Sequence, residues 1–274
     1  MRQAFRQHLI LKYGSDLIVA GLIILILIPP TMTVLMSLND GAFIRFPIKA
    51  LSLRWYGEFL ARDEWIRAAV NSLEIASAVS LLSTAAGVLA AYAYARSTFP
   101  GREASYLFIT LPLYVPGSVL GLGVAVMFGG AGLWGYTLYG AKILVVAAHC
   151  MWALPLVFMI MVATFRNLDT SIIDAAADLG SPPATTFFHV TLPFVRTGVV
   201  SSAILAFVIS LNEFPMALFL TDGDSRTLPV LMWMSLRSAA TPVLAVAAVV
   251  LLVIVVMGIG LVAWLFARRE EKQW

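Results

Sequence analysis

The chain has 274 residues, of which 61% are apolar and 12% charged, with a net charge of +3. Ordinary soluble proteins are about 45–50% apolar and about 25% charged, and 18 basic plus 15 acidic side chains cannot clothe a soluble surface of this size. The composition excludes a soluble globular protein and requires a multi-spanning membrane protein. Lys and Arg form no run, which excludes a nucleic-acid binder. Cys150 is alone, so an intrachain disulfide or a CxxC metal site is impossible. His8, His149 and His189 are too scattered along the sequence to read as a metal cluster.

A helix needs about 20 mainly apolar residues to cross the hydrocarbon core, and charge-free stretches locate six spans, at about 17–38, 68–95, 104–128, 142–165, 197–221 and 241–267. The first contains Pro29-Pro30 and no small-x-small cleavage site, so it reads as a retained anchor. Between spans one and two, SLRWYGEFL predicts a short interfacial helix with Trp55 and Tyr56 at headgroup level. The charge-free stretch that begins at Ala104 is too long for one helix, and GGAGLWG at 129–135 predicts a loop after a single third span. Span five is interrupted only by Glu213. An even number of spans leaves both ends on one side. Arg2, Arg6 and Lys12 before span one, and Arg268 and Arg269 after span six, put that side in the cytoplasm.

Residues 166–196 then form a long cytoplasmic loop, RNLDTSIIDAAADLGSPPATTFFHVTLPFVR. Asp169-Thr170-Ser171 offers N-cap chemistry to a helix over Ile172–Leu179, and Gly180 suits the left-handed position that ends it. Ser181 is expected to cap a second short helix with Pro182 and Pro183 in its first turn, ending at Thr191-Leu192-Pro193. The two helices would make a knob displaying Ala175, Ala176, Phe187 and Phe188. It is either a loop packed on its own bundle or a docking element for a cytoplasmic partner.

DAAADLGSPPATTFFHVTLP resembles the EAA motif of ABC-importer permeases, EAA-x3-G-x9-I-x-L-P. Asp174, Ala175 and Ala176 stand for EAA, Gly180 for the glycine, and Val190, Leu192 and Pro193 for I-x-LP, with Asp for Glu and Val for Ile as the departures. SLND at 37–40, LSLRWYGEFL at 51–60, NSLEIA at 71–76 and SLNEFPMALFLTDGDSRTLPVLMWMSLR at 210–237 are similar to the permeases of spermidine/putrescine importers. The resemblance implies an all-α membrane protein with six transmembrane helices in the type I ABC-importer permease architecture, one permease domain over 1–274. It implies that the loop contains a coupling helix seated on an ATPase. Its partners would be a homologous second permease, two ATP-binding cassette subunits that carry ATP and Mg, and an external solute-binding protein, in a bacterial inner membrane. No cofactor is expected in this chain. There is no GxxxxGK[ST], HExxH or GxSxG, so it is not expected to be the catalyst.

Three residues are candidates for the solute pathway. Glu213, with Asn212 beside it and Pro215 just beyond, lies deep in span five, where an ionisable group is costly and faces the bundle interior or a water-filled cavity. The alternative is a packing Glu paired with a neighbouring helix. Polyamine permeases tend to carry two acidic residues where this chain has Asn212-Glu213, one negative charge fewer. Glu74, near the outer end of span two, reads first as a partner of Arg67 and second as a pathway group. Pro112 and Pro116 are expected to kink span three and free carbonyls. Met127, Met216, Met232 and Met234 read as packing residues. The sequence favours an ATP-driven importer of a small charged organic solute, polyamine-like. An ion-gradient-driven secondary transporter would leave the EAA loop unexplained, and an intramembrane enzyme would need more than His149 and Glu213.

Overall fold

A computed structural model describes the backbone of residues 2–43, 47–130, 137–238 and 241–270, and the side chains among them except 2–13, 261–262 and 264–270. The chain divides into two compact units, Met1–Arg62 with Ser235–Leu252, and Asp63–Met234 with Val253–Trp274. Most of the glycine-rich loop expected at 129–135, and the basic side chains at both ends, lie outside what is described.

In the first unit, α1 runs from Arg2 to Ser37 with Pro29 and Pro30 inside it. Leu17, Ile18, Ile24, Leu25 and Ile26 are all more than half exposed, a surface that only lipid or another protein can cover. α2 is Arg54–Ala61, the short helix the sequence predicts. Trp55 departs from the expectation of an interfacial ring: it is buried, and its indole N–H donates to the Asn39 carbonyl at 2.9 Å. Tyr56 OH lies 2.8 Å from Ser37 Oγ at the end of α1. An antiparallel bridge of Asn39 with Leu51 closes the loop between the two helices.

The second unit starts with α3, Asp63–Arg96, which has Asp63 and Glu64 in its first turn and Arg96 in its last, the arrangement that suits the helix dipole. α4, Arg102–Thr110, passes into a 3-10 turn at Leu111–Tyr114, and α5 follows over Gly117–Phe128. Third comes α6, Lys142–Arg166, with Pro155 inside it. The loop helices are α7, Ser171–Asp178, and α8, Pro183–Thr186, followed by a π turn at Phe187–Thr191 and α9, Leu192–Phe194. α10, Arg196–Asn212, and α11, Pro215–Leu220, replace the single fifth span. α12, Leu228–Ser238, is a helix to which the sequence reading assigned nothing, and α13 is Val243–Glu270.

Among the described residues, four helices are long and apolar enough to cross a membrane, or up to six if each bent pair counts as one span. The six-span count therefore agrees only when bends are allowed, and span three carries a bend at the prolines expected to kink it. Its two halves meet at 99°. Pro116 is the cause: a residue before proline is driven to extended backbone, and Val115 takes φ −99°, ψ 129°. Pro183–Phe194 and Arg196–Asn212 meet at 76°.

The core of the second unit is α3 against α6 and α10, with Ile75, Val79, Val157, Phe158, Met161 and Ala206 buried. Lipid tails are as apolar as these side chains, so close packing rather than water exclusion holds such a core in a membrane. α5 approaches α11 so closely that a Cβ on Gly121 would lie 2.7 Å from the Met216 Cα. Only glycine permits that contact.

Candidate functional site

Two regions of the second unit carry the residues singled out from the sequence. The first is the interruption between α10 and α11. Glu213 ends α10 in extended backbone, φ −70°, ψ 123°, and Pro215 opens α11, where a missing N–H costs nothing. The first free N–H groups of α11 are met by Glu213 itself. Met216 N–H donates to both carboxylate oxygens at 3.0 Å, and Ala217 N–H donates to Oε2 at 3.2 Å. A carboxylate at a helix N-terminus is favoured by the dipole as well as by those bonds.

The carboxylate is 5% exposed, and its lateral neighbour comes from α6. His149, 1% exposed, places Nε2 3.2 Å from Glu213 Oε2 and Nδ1 2.9 Å from Ser210 Oγ. The Nε2 contact is at ion-pair distance but out of line for a full hydrogen bond. One turn further along α6, Trp152 donates its indole N–H to the Pro112 carbonyl at 3.1 Å, within the other broken span. Gly117 sits between the two: a Cβ there would come within 3.2 Å of both Glu213 Oε1 and the Trp152 ring. The carbonyl expected to be freed by the prolines is thus taken by Trp152 and by Val115 N–H.

Glu213, Asn212 and Glu74 are not brought together. Asn212 is exposed and donates to the Val208 carbonyl of its own helix. Glu74 pairs with Lys142 at the start of α6, and Arg67 pairs instead with Asp224 at 2.9 Å. The expected Arg67–Glu74 pair does not form because seven residues separate them by about 10 Å along the helix, while Lys142 approaches from the side. Asn71 donates to the carbonyls of Asp224 and Arg226 at 2.7 and 3.0 Å, and Ser72 Oγ accepts from Leu228 N–H, so NSLEIA clamps the segment before α12. In that segment Asp222 accepts from Ser225 N–H and Oγ and from Asp224 N–H, which holds its carboxyl below the ordinary range. Sequence reasoning missed His149, Ser210 and Trp152 as partners of the breaks. A histidine inside an apolar span was the available signal.

The second region is the loop at 166–196. Asp169 Oδ1 accepts from Ser171 N–H at 3.0 Å, which starts the turn into α7 and holds the Asp169 carboxyl below its ordinary range. At the other end of α7, Gly180 takes φ +77°. Its N–H donates to the Ala177 carbonyl at 2.8 Å and Ser181 N–H donates to the Ala176 carbonyl at 3.0 Å. That pair of bonds is the Schellman stop, and it needs a left-handed residue at its centre. Ser181 does not cap the second helix as expected. Its hydroxyl accepts from Thr186 Oγ1 at 2.9 Å, and Pro182 holds the cap position.

The helical run ends at Phe194, one residue beyond the expected Thr191-Leu192-Pro193. It widens into the π turn, where Leu192 N–H reaches back to the Phe187 carbonyl, a register that accommodates the N–H missing at Pro193. Asp174, Ala175, Gly180 and Pro193 are exposed, while Ala176, Val190 and Leu192 are half-buried. Phe187 was expected on the surface of the knob but is buried, with its ring 4.8 Å from Tyr92. Phe188 is 60% exposed and Leu179 89%.

Comparison with known proteins places this geometry. Residues 83–271 match the family described as binding-protein-dependent transport system inner membrane component. The putrescine transport system permease protein PotI of Escherichia coli K12 is 32% identical over 248 residues, which cover 89% of this chain and 87% of the relative. The molybdenum transport system permease protein ModB of Mycobacterium tuberculosis is 32% identical over 251 residues, 84% of this chain and 94% of the relative. A chain of a bacterial ABC transporter that imports the acidic polysaccharide alginate shares the fold with a TM-score of 0.74 at 15% identity, covering 92% of this chain and 95% of that one. The chain belongs to the binding-protein-dependent transport system inner membrane components and is a permease subunit of an ABC importer.

Proposed function

We propose that this permease carries a small charged organic solute of polyamine type inward, by alternating access coupled to separate ATPase subunits. The observation that carries the solute class is Glu213, an acidic side chain buried inside a span at a helix break, its oxygens accepting from the Met216 and Ala217 N–H groups. Likeness to the putrescine permease supports the same class. In this reading all 274 residues serve one permease domain in a bacterial inner membrane, with both termini cytoplasmic. It works beside a homologous second permease, two ATP-binding cassette subunits holding ATP and Mg, and an external solute-binding protein. Asp174, Ala175, Ala176 and Gly180 dock on the ATPase, while Val190, Leu192 and Pro193 join the docking helix to the bundle. Glu213 is the main pathway group, with Asn212 and Glu74 secondary.

A second reading, an oxyanion solute, is favoured by the molybdenum permease relative, which is as similar in identity. Thermal stabilisation of the cognate external binding protein by putrescine, spermidine and molybdate separates the two. Stabilisation by molybdate alone refutes the polyamine reading. For orientation, cysteines introduced near Ser52 and Asp222 should react with an impermeant reagent from outside, and one at Ser181 should not. Outside labelling at Ser181 inverts the topology and removes the docking role.

A further inference from the structure

Two of the three interruptions in the second unit are tied to one helix. His149 and Trp152 stand one turn apart on α6. Trp152 bonds the Pro112 carbonyl in the bend before α5, and His149 meets Ser210 and Glu213 at the gap between α10 and α11. Gly117, the first residue of α5, is close to both Glu213 and Trp152. Irregular backbone at membrane depth survives only where protein satisfies it: Trp152 of α6 does so in the first bend, and in the second Glu213 does so with His149 of α6 against it.

We propose that His149 is a positioning residue of the transport cycle, its Nε2 setting the orientation of the Glu213 carboxylate that meets the solute. This rests on the cationic-solute reading of Glu213. His149 is buried to 1% exposure, and its Nδ1 is engaged by Ser210. Its Nε2 is the free end, 3.2 Å from the carboxylate and without an aligned hydrogen bond. A buried ring nitrogen left in that position is costly unless the bond forms at another stage. When a cation enters, the carboxylate must turn partly away from the α11 N–H groups, and His149 is the adjacent group that can hold it while it does so. Because His149 and Trp152 share α6, the two breaks shift as one body.

The test uses two readouts. Tritiated putrescine uptake is measured with the assembled importer in liposomes, and thermal unfolding with the purified permease. His149→Gln keeps a donor nitrogen near the Nε2 position, His149→Asn keeps one near Nδ1 only, and His149→Leu keeps neither. The glutamine variant should stay within about two-fold of the parent in KM, whereas the asparagine and leucine variants should raise KM roughly ten-fold, the size of one lost hydrogen bond to a charged group. A residue that merely fills space or tethers Ser210 would rank asparagine with or above glutamine, and that ranking overturns the proposal. In unfolding, the difference between the Gln and Asn variants should vanish once Glu213→Leu, which removes the acceptor, is added. A difference that persists also overturns it. Failure of the cationic reading looks different: the parent importer takes up no putrescine while the unfolding cycle still couples positions 149 and 213.

Discussion

The gap at Glu213 and the turn at Gly180 both stop a helix inside the same unit, and they satisfy its loose ends by opposite means. At Gly180 the backbone does the work. Two N–H groups fold back on the Ala176 and Ala177 carbonyls, no side chain takes part, and the tip is left exposed. At Glu213 side chains do the work. A carboxylate takes the N–H groups of the next helix and an imidazole from α6 lies against it, all of it buried. Water would repair an imperfect stop at the first place and cannot at the second. The exposed stop leaves its tip open to solvent, and the buried stop closes on itself inside an apolar bundle.

The comparison is broken most severely at the exposed turn. Gly180→Val places a Cβ on a left-handed residue, at a cost of about 1–2 kcal/mol, and Ala175→Arg puts a long charged side chain on the face proposed to dock. Each should abolish solute-stimulated ATP hydrolysis while membrane insertion is retained. Undiminished transport in both variants would remove the docking role. At the buried stop, Glu213→Ala leaves the Met216 and Ala217 N–H groups unsatisfied and should cost about 1–3 kcal/mol in thermal unfolding. Glu213→Gln should lower putrescine uptake with less loss of stability, and Glu213→Asp should keep part of the activity. If the glutamine variant transports normally, the carboxylate is only a cap.

The approach of α5 to α11 offers a middle-sized effect. Gly121→Val forces a side chain against the Met216 backbone and should destabilise by about 1–3 kcal/mol, whereas the same change at exposed Gly123, which has open space, should cost less than half of that. Equal melting losses would deny the close contact. Smallest of all are the exposed ion pairs. Lys142→Ala or Arg67→Ala should change stability by about 0–1 kcal/mol, less than Asn71→Ala, which loses two buried-side carbonyl bonds. The Asp222 turn adds a pH dependence of defined sign. Its carboxyl is depressed in the fold by Ser225, so its contribution is present above the unfolded value near 3.9 and is lost as pH falls through the folded one. Asp222→Asn should flatten that part of an acid unfolding curve, and an unchanged curve would show that the turn is not linked to stability.

Much of the loop at 166–196 was legible because its signals are local. A glycine at the end of an alanine-rich turn specifies a left-handed stop within six residues, and Gly180 takes it. The exposure of Phe187 was misjudged because burial depends on Tyr92, distant in sequence. His149 and Glu213 illustrate the same limit. Read along the chain they are two isolated polar residues, 64 positions apart, and nothing in either segment announces the other.

By itself the sequence determined the class of molecule, the number of apolar segments, the place of the loop and the family likeness, since hydropathy, proline and glycine act over a few residues. The tertiary structure alone decided that span three turns by as much as 99°, that α10 gives way to α11 at Glu213, that Trp152 of α6 bonds into the first break while His149 lies against Glu213 at the second, and that Glu74 pairs with Lys142 rather than Arg67. The reason is physical. Where lipid offers no hydrogen bonds, an interrupted helix is satisfied from within, as Glu213 satisfies α11, or by whichever neighbouring helix packing brings within about 3 Å, as Trp152 reaches Pro112.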